Sequence, residues 1–492
     1  MIKLNKLVLC MSTLGLSTIS LPTFAAASEQ QEIQQLRAEV AELRALIQQQ
    51  AATQKQIVAE QKARPVVVAS APAVVVAQAP AAPANAKPGW FTLPDGQTQV
   101  KLYGSVRADA TYDFKGTNAD TTNINNPTNK VPLNSANATE DALNVTAATT
   151  RFGLDFSRPS DIGEITGKIE ADFMGSSGTN GTGSLRVRHA YVNVGKWLAG
   201  QTTSPFVNVD TAPETVDFNG PMGYGSTRTV QVRYTQPINA NQKLLLALEG
   251  GDVDNINSSN ATTVFKNSAG NVITETTSSG GNRFPALTAR YDIATADKKG
   301  LVQIHGLLHE NRISVNDDVD ETKLGWGIGV GGKYSLTPND TVFANYYHVK
   351  GDNRYLLYGN SAYAAYQNNP VNAANATDLS IHESEFNSGL IGYSRTWSPK
   401  LRSTIAAGGI WYKDDNGYAD FASRAATTAA TRDGLNKTLY NIIVNSFYSP
   451  TKAIDLGVEY TYGQRKIFEQ LDPNKSDDGD YSRLNLMAKY SF

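Results

Sequence analysis

Cysteine is almost missing from this 492-residue chain, with Cys10 as the only one. A disulfide framework and any cysteine-based zinc site are therefore excluded. Neither sign of charge dominates, since 44 Lys+Arg stand against 46 Asp+Glu. A nucleic-acid binder would carry a basic face, so that class is set aside. Histidine is scarce, and no Gly-x-Ser-x-Gly elbow, phosphate-binding loop or His-Glu-x-x-His pattern occurs. His305 and His309 fall on one face of a strand, yet four residues of strand span about 13 Å, too far for one metal ion. His189, His348 and His382 are isolated and read as interfacial or loop residues. No enzymatic reading, cofactor or metal centre emerges. Long uninterrupted hydrophobic runs are absent as well. The apolar stretch 66–84 is broken by Pro72, Pro80 and Pro83, which argue against a membrane helix. A membrane β-barrel is untouched by that absence, because only alternate strand residues face lipid.

What is present divides the chain into four. Residues 1–27 read as a secretory signal: Lys3 and Lys6 lead an apolar run from Leu7 to Leu21, and Ala25-Ala26-Ala27 offers a cleavage site before Ser28. Residues 28–62 read as an α-helical coiled coil. Ile33, Leu36, Val40, Leu43 and Ile47 recur at the 3-4-3-4 spacing of a heptad seam, and Glu39 and Arg44 are placed for an interchain ion pair. Ile and Val at a with Leu at d nominally favour two strands over three. Residues 63–98 form a Pro/Ala-rich linker; its stretch 64–88, as polyproline-like chain at about 3.1 Å per residue, reaches roughly 75 Å. Residues 99–492 form the fourth part.

From residue 99 the period of the pattern is two. In 483–492 the even positions are apolar or aromatic and the odd ones mostly polar. The same alternation runs through 100–112, where Leu102 and Val106 oppose Lys101, Arg107 and Asp109, and through 454–462. Such segments have one lipid-like and one wet face. Sixteen candidate strands follow, at roughly 99–113, 149–158, 163–174, 184–194, 196–204, 228–236, 242–251, 283–292, 299–313, 323–335, 340–350, 382–395, 399–413, 436–449, 453–465 and 482–492. Long and short connections alternate, and the short ones carry turn residues such as Thr337-Pro338-Asn339. The fold class expected is all-β: a 16-stranded antiparallel transmembrane β-barrel with an N-terminal periplasmic α-helical coiled coil. An even strand count puts both barrel ends on the short-turn, periplasmic side. Tyr103, Phe156, Trp197, Trp326, Trp397, Trp411 and Tyr490 suit interfacial girdles.

At this point the residues resemble a known family. Lys101-Leu102-Tyr103-Gly104-Ser105-Val106-Arg107-Ala108-Asp109 is similar to the first strand of the DcaP-like outer-membrane porins. Arg151-Phe152-Gly153-Leu154, the run 185–191 and the run 198–206 resemble that family in the same order. So do the signal, coiled coil and linker, and the likeness covers nearly the whole chain. Where the family often carries Thr-Trp-Ser, this chain has Thr202-Thr203-Ser204. The resemblance implies a homotrimer in outer-membrane lipid and dicarboxylic acids as solutes.

A sixteen-stranded barrel leaves a water-filled lumen, so selectivity must come from a charged narrowing. The loop after strand five, 205–227, is expected to fold inward; its prolines and glycines suit a fixed loop. Its Asp210, Glu214 and Asp217 either form one side of a field across the opening or cap turns and pair with barrel arginines. By strand parity Arg107, Arg151, Lys168, Arg186, Arg188 and Arg233 face the lumen, and Arg228 at a strand end is placed to reach it. An arginine fork matches a carboxylate with two parallel hydrogen bonds. The same side chains can instead pair with Asp109, Asp155, Glu170 and Asp172 as a wall ladder, and both readings stand. Gly325, Gly327, Gly329 and Gly331 share the lumen face and either widen the pore, admit another element or bend the strand.

The reading is a porin for passive diffusion of small anionic solutes such as dicarboxylates. The alternatives are a general porin of low selectivity and a structural envelope protein tethered to the cell wall through its coiled coil.

Overall fold

A computed structural model describes residues 89–492, apart from 117–126, 135–139, 176–182, 251–261, 267–271, 277–282, 316–318, 368–378, 420–434 and 469–475. The signal, the coiled coil and most of the linker lie outside the described residues.

Sixteen strands carry the fold. They are β1 (Gln99–Lys115), β2 (Arg151–Arg158), β3 (Ile165–Gly175), β4 (Ser184–Val194), β5 (Trp197–Thr203), β6 (Arg228–Asn239), β7 (Gln242–Glu249) and β8 (Ala286–Ala294). The second half comprises β9 (Gly300–Val315), β10 (Val319–Thr337), β11 (Asp340–Lys350), β12 (Glu385–Ser398), β13 (Leu401–Tyr412), β14 (Asn436–Thr451), β15 (Ile454–Ile467) and β16 (Asp478–Ser491). Each pairs antiparallel with the next, and β1 pairs with β16 from Ser105↔Ser491 to Lys115↔Ser482. The sheet is thus a closed barrel. Closure matters because an unpaired backbone group in hydrocarbon costs several kcal/mol, on the order of a lost hydrogen bond without water to replace it.

The expected strands agree with the observed ones to within a few residues. Short strands missing from that expectation lie in the long connections, apart from Phe91–Thr92, which precedes β1 and pairs with its start. Ala142–Thr146 pairs with the outer half of β1, while β2 pairs with its inner half. A separate four-stranded sheet forms from Thr262–Lys266, Val272–Thr276, Tyr363–Gln367 and Leu379–Glu383.

Polarity is inverted relative to a water-soluble domain. Leu102, Val106, Ile169, Val187, Val232, Leu248, Ile328, Ile391 and Leu486 are exposed on the outer face. Inside, the buried residues include Asp109, Asp113, Glu170, Asp172, Glu459 and Arg483. Trp197, Trp397 and Tyr490 sit exposed near the short turns, and Trp411 near the long loops. Tyr103 corrects the girdle reading. It shares the inward face with Arg107, donates to Glu170 Oε2 at 2.9 Å and accepts from Lys168 Nζ at 2.8 Å.

The closing seam carries a buried ion pair. Arg483 of β16 holds Asp113 of β1 through two hydrogen bonds, one of them 3.0 Å from Nη2 to Oδ2, and both side chains are almost wholly buried. Removing one partner strands the other charge, at a cost of about 3–5 kcal/mol. Arg483→Met should therefore lower the urea midpoint of the barrel, read by the gel shift between folded and unfolded forms. Arg483→Met with Asp113→Leu should recover most of that loss.

Candidate functional site: a loop-narrowed lumen beside an arginine cluster

The connection between β5 and β6 enters the lumen, as its prolines and glycines lead one to expect. Its two arms are joined by Gly225 N–H donating to Asn208 Oδ1 at 3.2 Å. Gly220 and Gly223 turn it in the left-handed backbone region, with φ of 81° and 77°. The wall beneath is cut away to receive it. A methyl group at Gly327 would strike the Phe206 ring, one at Gly408 the Met222 carbonyl, and one at Gly457 the Val216 side chain. The glycine face of β10 is a bed for the loop, which decides among the readings left open for it.

Polar anchors then fix the loop along the wall. Thr211 and Asn345 of β11 exchange bonds of 2.8 and 2.9 Å. The Met222 amide donates to Asn441 Oδ1 at 3.0 Å on β14. Glu459 of β15 accepts the amides of Val216 and Asp217 at 2.8 and 3.0 Å. At the loop's far reach Arg107 Nη2 donates to the Val216 carbonyl at 2.6 Å. His305 holds the near end through Nδ1 and the Pro205 carbonyl, 2.8 Å apart.

The loop acids occupy three different settings. Asp210 is half exposed, 3.5 Å from Arg290 Nη1 and 3.3 Å from Gln303 Nε2. Glu214 receives both nitrogens of the Arg402 fork, at 2.6 and 2.7 Å. Asp217 is buried, and its carboxyl Oδ1 accepts the Asn219 amide at 2.9 Å. Burial, then the nearby Glu459 carboxylate, push the Asp217 carboxyl up to about 7.

The basic residues line β1 to β4 and the start of β6, the side of the lumen opposite the loop's bed. Arg107 pairs with Asp109 at 2.6 Å. Lys168 pairs with Asp155 at 3.1 Å. Arg186 grips Asp172 with two bonds of 2.9 and 2.7 Å. Arg188 bridges Glu170 and Asp172, each at 2.8 Å. Arg151 approaches Glu170 only to 3.5 Å. Arg228 and Arg233 have no ion pair among the described residues. Arg228 lies in the field of Arg188, Arg186 and Arg151. Three guanidiniums thus share the two carboxylates of Glu170 and Asp172, with Arg228 in the same field and not paired to them. Phe218, on the loop, lies 5.6 Å from the Arg107 guanidinium and 5.6 Å from that of Arg188, with Arg186 at 6.0 Å.

A β-bulge makes this density possible. Glu170 faces His189 and Ala171 faces Val187, so Arg188 is an extra residue in β4. His189 consequently lies in the wall, 3.0 Å from Thr202 Oγ1, rather than at an interface or in a loop. Sequence reasoning missed Arg290, Arg402, Phe218 and the anchoring carboxylates. Arg290 was open to the parity rule, since Thr288, Arg290 and Asp292 alternate with exposed Leu287. No cluster of metal-ligating side chains occurs among the described residues.

A wall apolar towards the bilayer, and charged towards a lumen narrowed by its own loop, is how porins are built; that is the class of outer-membrane channel which fold and site define. The chain belongs to the DcaP outer membrane protein family, whose model matches residues 32–492. It is 34% identical to the outer membrane channel DcaP of Acinetobacter baumannii, whose crystal structure it matches over 82% of this chain and 99% of that one with a TM-score of 0.65. More distant likenesses include the anion-selective porin of Comamonas acidovorans and OmpT of Vibrio cholerae, each 11% identical with a TM-score of 0.46. These cover 80% of this chain, and 100% and 98% of the other chains respectively. No curated protein sequence matches this chain significantly.

The Asp217 carboxyl, in the loop and outside the strands, carries a pH prediction. With the loop seated it holds a proton up to about 7, whereas an ordinary aspartate releases it near 3.8. Between those values the seated loop binds the extra proton, so seating weakens as pH rises through that window. Open-channel current noise should rise between about pH 4 and 7 and level off above it, and Asp217→Asn should flatten the dependence.

Proposed function

We propose that the chain forms a homotrimeric, passive diffusion channel of the outer membrane with a local preference for small anions, dicarboxylates among them. The observation that carries this reading is the sharing of Glu170 and Asp172 by Arg151, Arg186 and Arg188, with Arg228 beside them and in no ion pair among the described residues. Arg186 and Arg188 are largely committed to those carboxylates. Arg151 and Arg228 keep hydrogen-bonding capacity for a solute, and Arg233 on β6 adds a further site along the same wall. Separated cationic spots suit a molecule with a carboxylate at each end. Residues 28–62 are read as a periplasmic coiled coil that helps to assemble the trimer and offers contact with the cell wall.

A general porin of low selectivity is the second reading. It is favoured by the exposed Asp210 and Glu214 on the loop, which oppose an anion preference.

Reversal potential in a planar bilayer under a salt gradient tests the proposal, with succinate then added. The native channel should be anion-selective and blocked by succinate. Arg151→Ala with Arg228→Ala should lower the anion-to-cation permeability ratio severalfold and weaken the block. Cation selectivity without block would overturn the dicarboxylate reading and leave the general porin.

A further inference from the structure

A second inward segment is not used by the reading above. Residues 351–360, after β11, are almost all buried or half-buried, and Tyr355 is wholly so. Tyr355 lies edge-on to Phe206 of the first loop, with ring centroids 5.4 Å apart. Its hydroxyl donates to Glu249 Oε2 at 2.7 Å. The same carboxylate accepts Ser204 Oγ, at the start of the first loop, and Thr288 Oγ1 of β8, each at 2.7 Å. One fully buried carboxylate at the end of β7 thus latches both inward segments to the wall through the hydroxyls of Ser204 and Tyr355, and is itself held by Thr288 of the wall.

The latch continues to the arginine cluster. Thr227 Oγ1 donates to the Arg354 carbonyl at 2.5 Å, and the Leu357 amide donates to the Tyr224 carbonyl at 3.2 Å. Gly225 packs so closely on the Tyr355 carbonyl that a methyl group would collide with it. The arm 224–227, which delivers Arg228, is therefore held down along its length by the second segment. That segment's far end is fixed on β13 and β14, where the Asn360 amide donates to Tyr412 Oη at 2.6 Å and Asn360 Nδ2 to the Asn436 carbonyl, also at 2.6 Å.

We infer that Glu249 and residues 351–360 are a second constriction element, which sets the size limit of the channel and positions Arg228 for its solute. Glu249 touches no solute; it acts through Tyr355, Ser204 and Thr227. The positioning of Arg228 rests on the anion-channel reading above, whereas the size limit does not.

Two variants test it, Tyr355→Phe and Thr227→Val. Each removes one hydroxyl of the latch and keeps the surrounding packing. Size limit is read by exclusion of neutral polyethylene glycols of graded length from the open channel, and selectivity by reversal potential. Both variants should admit longer polymers than the native channel. Both should also shift selectivity in the direction of Arg228→Ala, and Tyr355→Phe combined with Arg228→Ala should shift it no further than Arg228→Ala alone. An unchanged polymer limit, with only the thermal midpoint lowered, would overturn the inference and make the segment a strut. A raised polymer limit in the variants, with a native channel that shows no anion preference, would keep the constriction element and reject the selectivity reading beneath it. Glu249→Gln, which keeps the acceptor oxygen, should fall between the native protein and Tyr355→Phe in polymer limit.

Discussion

A sheet in hydrocarbon has no water to satisfy its edges, and that single requirement orders the rest of the structure. It forces β1 onto β16 and so closes the barrel. Closure sends alternate side chains outward to lipid and inward to a shared lumen. The outward set is legible as a belt of Leu, Ile and Val. The inward set must then satisfy its polar groups within a confined space. Carboxylates and guanidiniums pair across neighbouring strands, as Asp172 does with Arg186 and Arg188. Charge left over after pairing is what a solute can meet.

Filling part of the lumen uses a different kind of complementarity. Glycines on β10, β13 and β15 are unfavourable for an isolated strand, since they add backbone freedom and no side-chain packing. Here they admit Phe206, Met222 and Val216 against the wall. The resulting cluster of Phe206, Val207, Met222, Tyr347, Tyr355 and Phe386 is a small apolar core inside an otherwise polar tube. Buried carboxylates complete the arrangement from the wall side. Glu459 accepts backbone amides and Glu249 accepts hydroxyls from the inward segments, and each also accepts a donor from a neighbouring strand of the wall.

The strand count and the lipid face were legible because period-two alternation is imposed at every barrel position. Loop entry was legible in part: alternate glycines from Gly325 to Gly331 mark a surface prepared for close approach. Tyr103 was misplaced because residue type was allowed to outweigh parity; Leu102 and Val106 outside put Tyr103 inside. The state of each arginine was not legible. Whether Arg188 is paired and Arg228 is not depends on register and on a bulge, which leave no mark in composition. The short strand Ala142–Thr146 escaped for a related reason, because five residues of alternation inside a long connection do not stand out from chance. The anchors Glu249 and Glu459 are ordinary wall acids until a loop from far along the chain meets them.

The extra residue at Arg188 acts like a shift of reading frame within β4. On the short-turn side of it the odd-numbered residues face inward, as Tyr191 does opposite Lys168; on the long-loop side the even-numbered Arg186 and Ser184 do. Deleting Arg188 would only remove the bulge and leave both sets facing as they do, whereas deleting a residue from a regularly paired stretch would turn every side chain beyond it to the opposite face. Long connections of such a barrel tolerate changes of length, and this point in its wall shares that tolerance for a single residue. Insertions and deletions during divergence should therefore be confined to the loops and to this bulge, and barred from the regularly paired stretches of the wall, even where the residues gained or lost are chemically bland.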